Sequence, residues 1–217
     1  VDALKYVDAG FSANQIFHIL LRASRRELIK GRVTARRLQA YSWLVPDQWQ
    51  GRSRQLQVVG DSTSGTSTRR FGRDSELLSR LQKNMGNVQV KLILVIRNPF
   101  DPISLIMIRG GRSFENAVEH YFSNCDIVAD LRRQLDDTQL LPVHYEAFIA
   151  QPQTQLTAVC QFLGIDANED YLDACARILY THPEQSRQLV QWNDNWINTV
   201  EQRIKQYDFL QGYSFAD

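Results

Sequence analysis

Apolar and polar positions alternate in two periods along this chain, and the switches between them mark the elements. After Gly10-Phe11-Ser12, the residues Phe17, Leu20, Leu21, Ser24 and Leu28 recur at helical spacing, with Ser12 placed to cap the start and Gly31 to close the end. A polar, Trp-containing connection leads to a short strand candidate, Leu56 to Val59, stopped by Gly60-Asp61. Beyond a Ser/Thr/Gly loop, Asp74 to Met85 reads as a helix with Leu77, Leu78 and Leu81 on one face. Val90 to Ile96 is the strongest strand signal, nearly continuous and β-branched, as expected of a central parallel strand covered on both faces. A long amphipathic helix follows over about Ser113 to Leu135, then a short strand, Gln139 to Val143. Helices are expected over Pro152 to Leu163, Glu169 to Leu179 and Trp192 to Gln206. Strands separated by helices predict an α/β fold with a parallel sheet.

Composition adds bounds. At 217 residues with 43% hydrophobic and 23% charged positions, the chain has the make-up of one globular domain, which excludes fibrous repeats and extended disorder. The longest apolar run, Leu92 to Ile96, is far short of a membrane span, and no membrane association is expected. No secretory leader opens the sequence, so a cytoplasmic setting is expected. Cys125, Cys160 and Cys175 form no C-x-x-C pair, and His18, His120, His144 and His182 show no ligand spacing, so no metal is expected.

The net charge of +1 conceals a polarity: residues 1–73 carry 13 Lys/Arg against 5 Asp/Glu, and the rest carries 12 against 19. A basic first third faces something anionic or is a solvated face. Binding of nucleic acid by that third is a competing reading, although the near-neutral total and the lack of any recognised motif weigh against it.

The chemistry concentrates in Arg97-Asn98-Pro99-Phe100-Asp101-Pro102-Ile103-Ser104, directly after the Val90–Ile96 strand. Pro99 stops the strand, Asp101 is a good N-cap, and Pro102 then occupies the first helical position. Ser104 falls in the first turn, where free backbone N–H groups attract an anion, and the Arg97 guanidinium can reach the same place. Arginine, helix N-terminus and serine hydroxyl together describe a phosphate site. An Arg97–Asp101 ion pair beside a serine that merely helps the cap is the alternative.

This R-N-P-x-D-x-x-x-S run resembles the 3′-phosphate-binding motif of sulfotransferases that use 3′-phosphoadenosine 5′-phosphosulfate (PAPS). Val143-His144-Tyr145-Glu146, Pro152 and Phe162-Leu163-Gly164 are similar to that family's "YED…P…FLG" stretch, and Ser186-Arg187 and Trp192 fall where the family has a late basic segment and a tryptophan. The resemblance covers roughly residues 55–192. It implies a P-loop-NTPase-like three-layer fold with a central parallel sheet flanked by helices, and sulfuryl transfer from PAPS to a hydroxyl or amine of a small-molecule or glycan acceptor. A degenerate module that binds the nucleotide without turnover is the alternative of the same fold. By the same resemblance, Arg97 and Ser104 match the 3′-phosphate ligands and Tyr145 a residue touching the adenosine. Arg187 matches a second cation there, or is an ordinary surface arginine.

The departures from the family pattern are equally specific. Ser64-Gly65-Thr66-Ser67 resembles the family's phosphosulfate loop, but Gly60-Asp61 aligns this region with the family's second strand-loop instead. The true loop is then expected upstream of Val1, making residues 1–217 a single domain truncated at its N-terminal side. Ser62 stands where many members carry a lysine. No catalytic base is assigned: His18 reads as a helix histidine, and Asp61 as a base or a structural cap. The Arg22–Arg37 stretch offers a landing face for an acidic acceptor or is a solvated face. Tyr41, Trp43 and Trp49 line an acceptor pocket or simply pack.

Overall fold

The computed structural model describes residues 2–29, 33–36, 39–42, 44–46, 55–62 and 65–217, with side chains described throughout except at 33–36 and 39–42. In chain order the elements are α1 (Ala3–Asp8), α2 (Ala13–Ile29), β1 (Val33–Arg36), β2 (Gln39–Ser42), α3 (Gly65–Arg73) and α4 (Leu77–Met85). There follow β3 (Leu92–Ile96), α5 (Phe100–Gly110), α6 (Phe114–Gln134), β4 (Leu140–His144), α7 (Tyr145–Ala150), α8 (Pro152–Leu163), α9 (Glu169–Arg177) and α10 (Asp194–Ile204). Single 3-10 turns cover Ser186–Leu189 and Asp208–Leu210. The chain divides into two compact units: residues 1–90 with 152–179, and residues 91–151 with 180–217.

In the first unit, α1, α2 and α4 are held by a small core of Leu4, Val7, Ile16, Leu77, Leu81 and Met85. The start of α2 is a reciprocal capping pair. The Ser12 backbone N–H donates to Gln15 Oε1 at 2.9 Å, and the Gln15 N–H reaches Ser12 Oγ at 3.5 Å. Two otherwise orphaned donors are thereby satisfied, as the sequence predicted for Ser12. β1 and β2 pair antiparallel.

Three expectations change in this unit. Leu56–Val59 is not a strand: it has no ladder partner among the described residues, and Leu56 and Val58 are exposed. Without a neighbouring strand, its apolar alternation has nothing to bury against. The Ser/Thr/Gly loop is helical from Gly65 onward, as the start of α3. The third change is α1, which supplies two core residues where no element was expected. Ser64, Gly31, Lys30, Arg32, Trp43 and Trp49 lie outside the described residues, as do Arg37 and the side chains of Arg36 and Tyr41.

The second unit is α/β. β3 and β4 form a parallel pair in the register Leu92↔Leu140 to Ile96↔His144, flanked by helices. Leu94 and Ile96 join a core with Phe100, Ile103, Phe114, Ala117, Val118, Phe122, Val200 and Ile204 from α5, α6 and α10. Ser113 caps α6, its side chain accepting the Asn116 N–H, as its sequence pattern predicts. The expectation of a strand covered on both faces is corrected. Ile93 and Val95 are 42% and 63% exposed, so β3 alternates like a strand covered on one face among the described residues.

The core is strongly aromatic. Phe114 stacks on Trp196 at 4.4 Å between ring centroids, and Phe100 meets Trp192 edge-on at 5.1 Å. Such pairs add roughly 0.5–1.5 kcal/mol each beyond area burial. Trp192 is therefore a packing residue, and its indole N–H fixes a polar neighbour described next.

Candidate anion-binding site

The site is built where β3 ends and α5 begins, in the second unit. β3 delivers Arg97 at its carboxyl end, and Asn98 turns the chain. The Asn98 side chain, 1% exposed, accepts the Phe100 N–H at 3.2 Å and donates to the Ser214 carbonyl at 2.9 Å. The helix thus begins two residues earlier than expected, at Phe100, with Pro99 rather than Asp101 at the N-cap position and Asn98 supplying the side-chain acceptor. The expected free N–H groups are also accounted for. The Asp101 N–H goes to the Asn98 carbonyl, the Ile103 N–H goes to the Pro99 carbonyl, and Pro102 has none. Anion affinity here must come from side chains rather than from the helix terminus.

Release from capping leaves Asp101 for a long-range partner. Its carboxylate accepts the Arg187 backbone N–H at 2.9 Å on one oxygen and the Arg187 guanidinium at 3.1 Å on the other. Both side chains are nearly buried, at 3% and 5% exposure. Arg187 is thus not an ordinary surface arginine. The 3-10 turn Ser186–Leu189 packs it against α5.

Arg97 approaches the same carboxylate from the other side, with Nε 3.5 Å from Asp101 Oδ2. It also donates to the Glu184 carbonyl and lies over the Tyr145 ring at 5.0 Å. That stacking fixes the plane of the guanidinium. The decisive detail is that Arg97 Nε is buried without a hydrogen-bond partner. A buried cationic donor left unmatched is costly, and an anion bound there would satisfy it. The two arginines share the buried Asp101 carboxylate, and the exposed Glu184 carboxylate lies 3.9 Å from Arg97, so an incoming anion would compete with Glu184 for the guanidinium.

Ser104 sits one turn into α5, 0% exposed. Its hydroxyl donates to the Phe100 carbonyl at 2.8 Å and accepts the Trp192 indole N–H at 3.2 Å. Donation to a phosphate would require exchange of the Phe100 carbonyl for the phosphate oxygen. The structure thus brings Arg97, Tyr145 and Arg187 together around Asp101 and Glu184, with Ser104 inside the same helix.

Several contributors carried no reading from sequence. Glu146, in the first turn of α7, accepts the Asn98 backbone N–H at 2.8 Å and the Tyr213 hydroxyl at 2.7 Å. It ties the turn bearing Arg97 to β4–α7. Tyr213 also contacts His144 Nδ1 at 3.1 Å, and its phenol is pushed upward by burial and by its bond to Glu146. A cleft of about 450 Å³, lined by Asp101, Arg187, His144, Glu146 and Tyr213 among others, adjoins the cluster. Glu146 lay in the Tyr145-Glu146 motif and was findable there; Tyr213 had no local signal.

The two candidate bases belong to the first unit. His18 is exposed on α2, and Asp61 accepts the Ala3 N–H at 2.7 Å, a capping contact at the start of α1. No group of three or more potential metal ligands occurs among the described residues. No described helix is long and apolar enough to cross a membrane.

Part of the chain that includes this site is similar to a known family. Residues 89–169, which contain β3, the Arg97 turn, β4 and Tyr145-Glu146, match the model of the Sulfotransferase family. Over that stretch the chain is similar to that family. Solved structures similar to it include the sulfotransferase domain of the Synechococcus PCC 7002 olefin synthase, at 23% identity and a TM-score of 0.41. A second is the sulfotransferase domain from the curacin biosynthetic pathway, at 17% identity and a TM-score of 0.47. The matches cover 59% and 64% of this chain, and 43% and 60% of those domains, so the chain spans about half their length. No curated protein matches the chain.

Proposed function

We propose that this chain is a sulfotransferase that binds PAPS, with the 3′-phosphate at Arg97, and supports transfer of its sulfuryl group to a hydroxyl or amine of a small-molecule or glycan acceptor. The observation that carries the reading is Arg97 at the carboxyl end of a parallel strand, its buried Nε within ion-pair reach of Asp101 but without a hydrogen bond. Ligands of open α/β sheets gather at that end.

PAPS supplies an activated sulfuryl group: its sulfur–oxygen bond to the 5′-phosphate breaks as a bond to the acceptor atom forms, and the acceptor loses a proton. The residues of this chain account for the binding end. Arg97, held flat by Tyr145 and in place by the Glu184 carbonyl, offers its guanidinium to a phosphate oxygen. Arg187, neutralised in part by Asp101, adds a second positive centre and holds that carboxylate away from the anion. Tyr145 contributes the ring beside the adenosine. Ser104 joins when its hydroxyl leaves the Phe100 carbonyl. Because such transfer depends on positioning and on neutralising charge, anchoring a remote phosphate fixes the reacting end as well.

The test is incubation with PAPS carrying labelled sulfate and a panel of hydroxyl and amine acceptors. Label is expected on an acceptor, suppressed by excess adenosine 3′,5′-bisphosphate. Failure of the chain to bind either nucleotide would overturn the reading. Binding without label transfer would leave only the nucleotide-binding half of it.

A further inference from the structure

Arg97 faces two carboxylates that differ in their freedom to leave. Asp101 is 3% exposed and both of its oxygens are engaged by Arg187, so it stays with the fold. The Glu184 side chain is 56% exposed, and its Oε2 lies 3.9 Å from Arg97 Nη1.

The main chain of Glu184 is anchored independently of that side chain. Its carbonyl accepts from the Arg97 guanidinium, and its N–H donates to the Tyr145 hydroxyl at 3.5 Å. The next residues are fixed as well: the Gln185 amide donates to the Asp217 carbonyl at 3.3 Å, and Ser186 is buried. Main-chain groups therefore hold the guanidinium in place, while the carboxylate can turn into solvent by side-chain rotation alone, a fast motion for an exposed residue.

Charge gives this freedom a consequence. Arg97 and Arg187 carry two positive charges, and Asp101 and Glu184 carry two negative ones, so the cluster is formally neutral with Glu184 in place. A phosphate arriving at Arg97 meets a resident carboxylate that repels it. Once Glu184 has turned away, one positive charge is uncovered.

We propose that Glu184 is an internal competitor at this site: its carboxylate covers Arg97 until the 3′-phosphate of the nucleotide displaces it, and it thereby sets the affinity for that phosphate. The proposal rests on the nucleotide reading above and adds to it a residue that weakens binding. After sulfuryl transfer the bisphosphate product still carries its 3′-phosphate, and a carboxylate that returns to Arg97 favours release of that product.

Calorimetry on the full chain tests this with adenosine 3′,5′-bisphosphate and with adenosine 5′-monophosphate, which lacks the 3′-phosphate. Glu184→Gln keeps the main-chain contacts and the side-chain size and removes only the charge. It is expected to bind the bisphosphate about 3-fold more tightly than wild type, as loss of one exposed ion pair allows. Its behaviour toward the monophosphate should not change. Glu184→Ala should show the same gain, which separates the lost charge from any new contact made by the amide. Absence of the gain from either variant would overturn the proposal and leave the phosphate site standing. An equal gain for both nucleotides would overturn it too, because the competition would then not lie at the 3′-phosphate. Failure of wild type and both variants to bind either nucleotide would remove the nucleotide reading and this inference with it.

Discussion

The two units differ in how deeply they bury a charge pair. In the first, Arg80 meets Asp74 and Asp8 with all three side chains more than a third exposed, and Arg70 meets Asp2 at 27% and 19% exposure. In the second, Asp101 and Arg187 are matched almost entirely out of water, and Arg97 Nε, buried without a hydrogen bond, lies 3.5 Å from the same carboxylate. Exposed pairs are screened and add little, whereas a buried pair must be completed or it destabilises the fold. The contrast shows where this chain sustains electrostatic cost, and that place is the end of β3.

The largest effect should come from breaking the buried pair. Asp101→Ala leaves Arg187 without its carboxylate and is expected to lower unfolding free energy by about 3–5 kcal/mol, read by urea denaturation. Arg80→Ala in the other unit should leave the urea midpoint unchanged within error. Similar shifts for the two variants would erase the distinction.

Next in size is Ser104→Ala, which removes the acceptor of the Trp192 indole N–H and should cost about 1–3 kcal/mol. A shift in tryptophan emission should accompany it. An unaltered midpoint would mean that the indole finds another partner. In the first unit, Ser12→Ala removes one arm of the capping pair at α2, and a loss of about 1 kcal/mol is expected by the same denaturation.

Titration sharpens the contrast further. Burial pushes the Tyr207 phenol up to about 12 and raises Tyr213 as well. Unfolded tyrosines ionise near pH 10, so above that pH the unfolded state loses protons that the folded state retains. Stability should therefore be whole below about pH 10 and fall as pH rises beyond it. Tyr213→Phe should reduce that alkaline loss. The smallest effect concerns Cys125, whose thiol burial pushes up to about 12: it should resist alkylation at pH 8 until the chain is unfolded.

Legibility from sequence followed the range of the interactions. β3 and α6 could be read because their signals are local: a five-residue apolar run in one and a Ser113 cap with helical period in the other. Leu56–Val59 carried the same kind of signal and failed, since a strand exists only with a partner and none is described beside it. Asp101 was readable as a cap but not as the partner of an arginine 86 positions away, and the side-chain bond to the Phe100 N–H comes from Asn98 instead. Arg97 and Tyr145 were legible as a motif, whereas the orphaned Nε appears only once packing is known. Tyr213 is 67 positions from Glu146, so nothing in its surroundings marks the bond they make.

The central claim is that Arg97 holds the anion, and isothermal titration with adenosine 3′,5′-bisphosphate tests it most directly. Wild type should bind, and Arg97→Ala should lose about 1.5–3 kcal/mol of affinity, roughly 10- to 150-fold, with little change in melting temperature. Equal affinity in the two proteins would contradict the account.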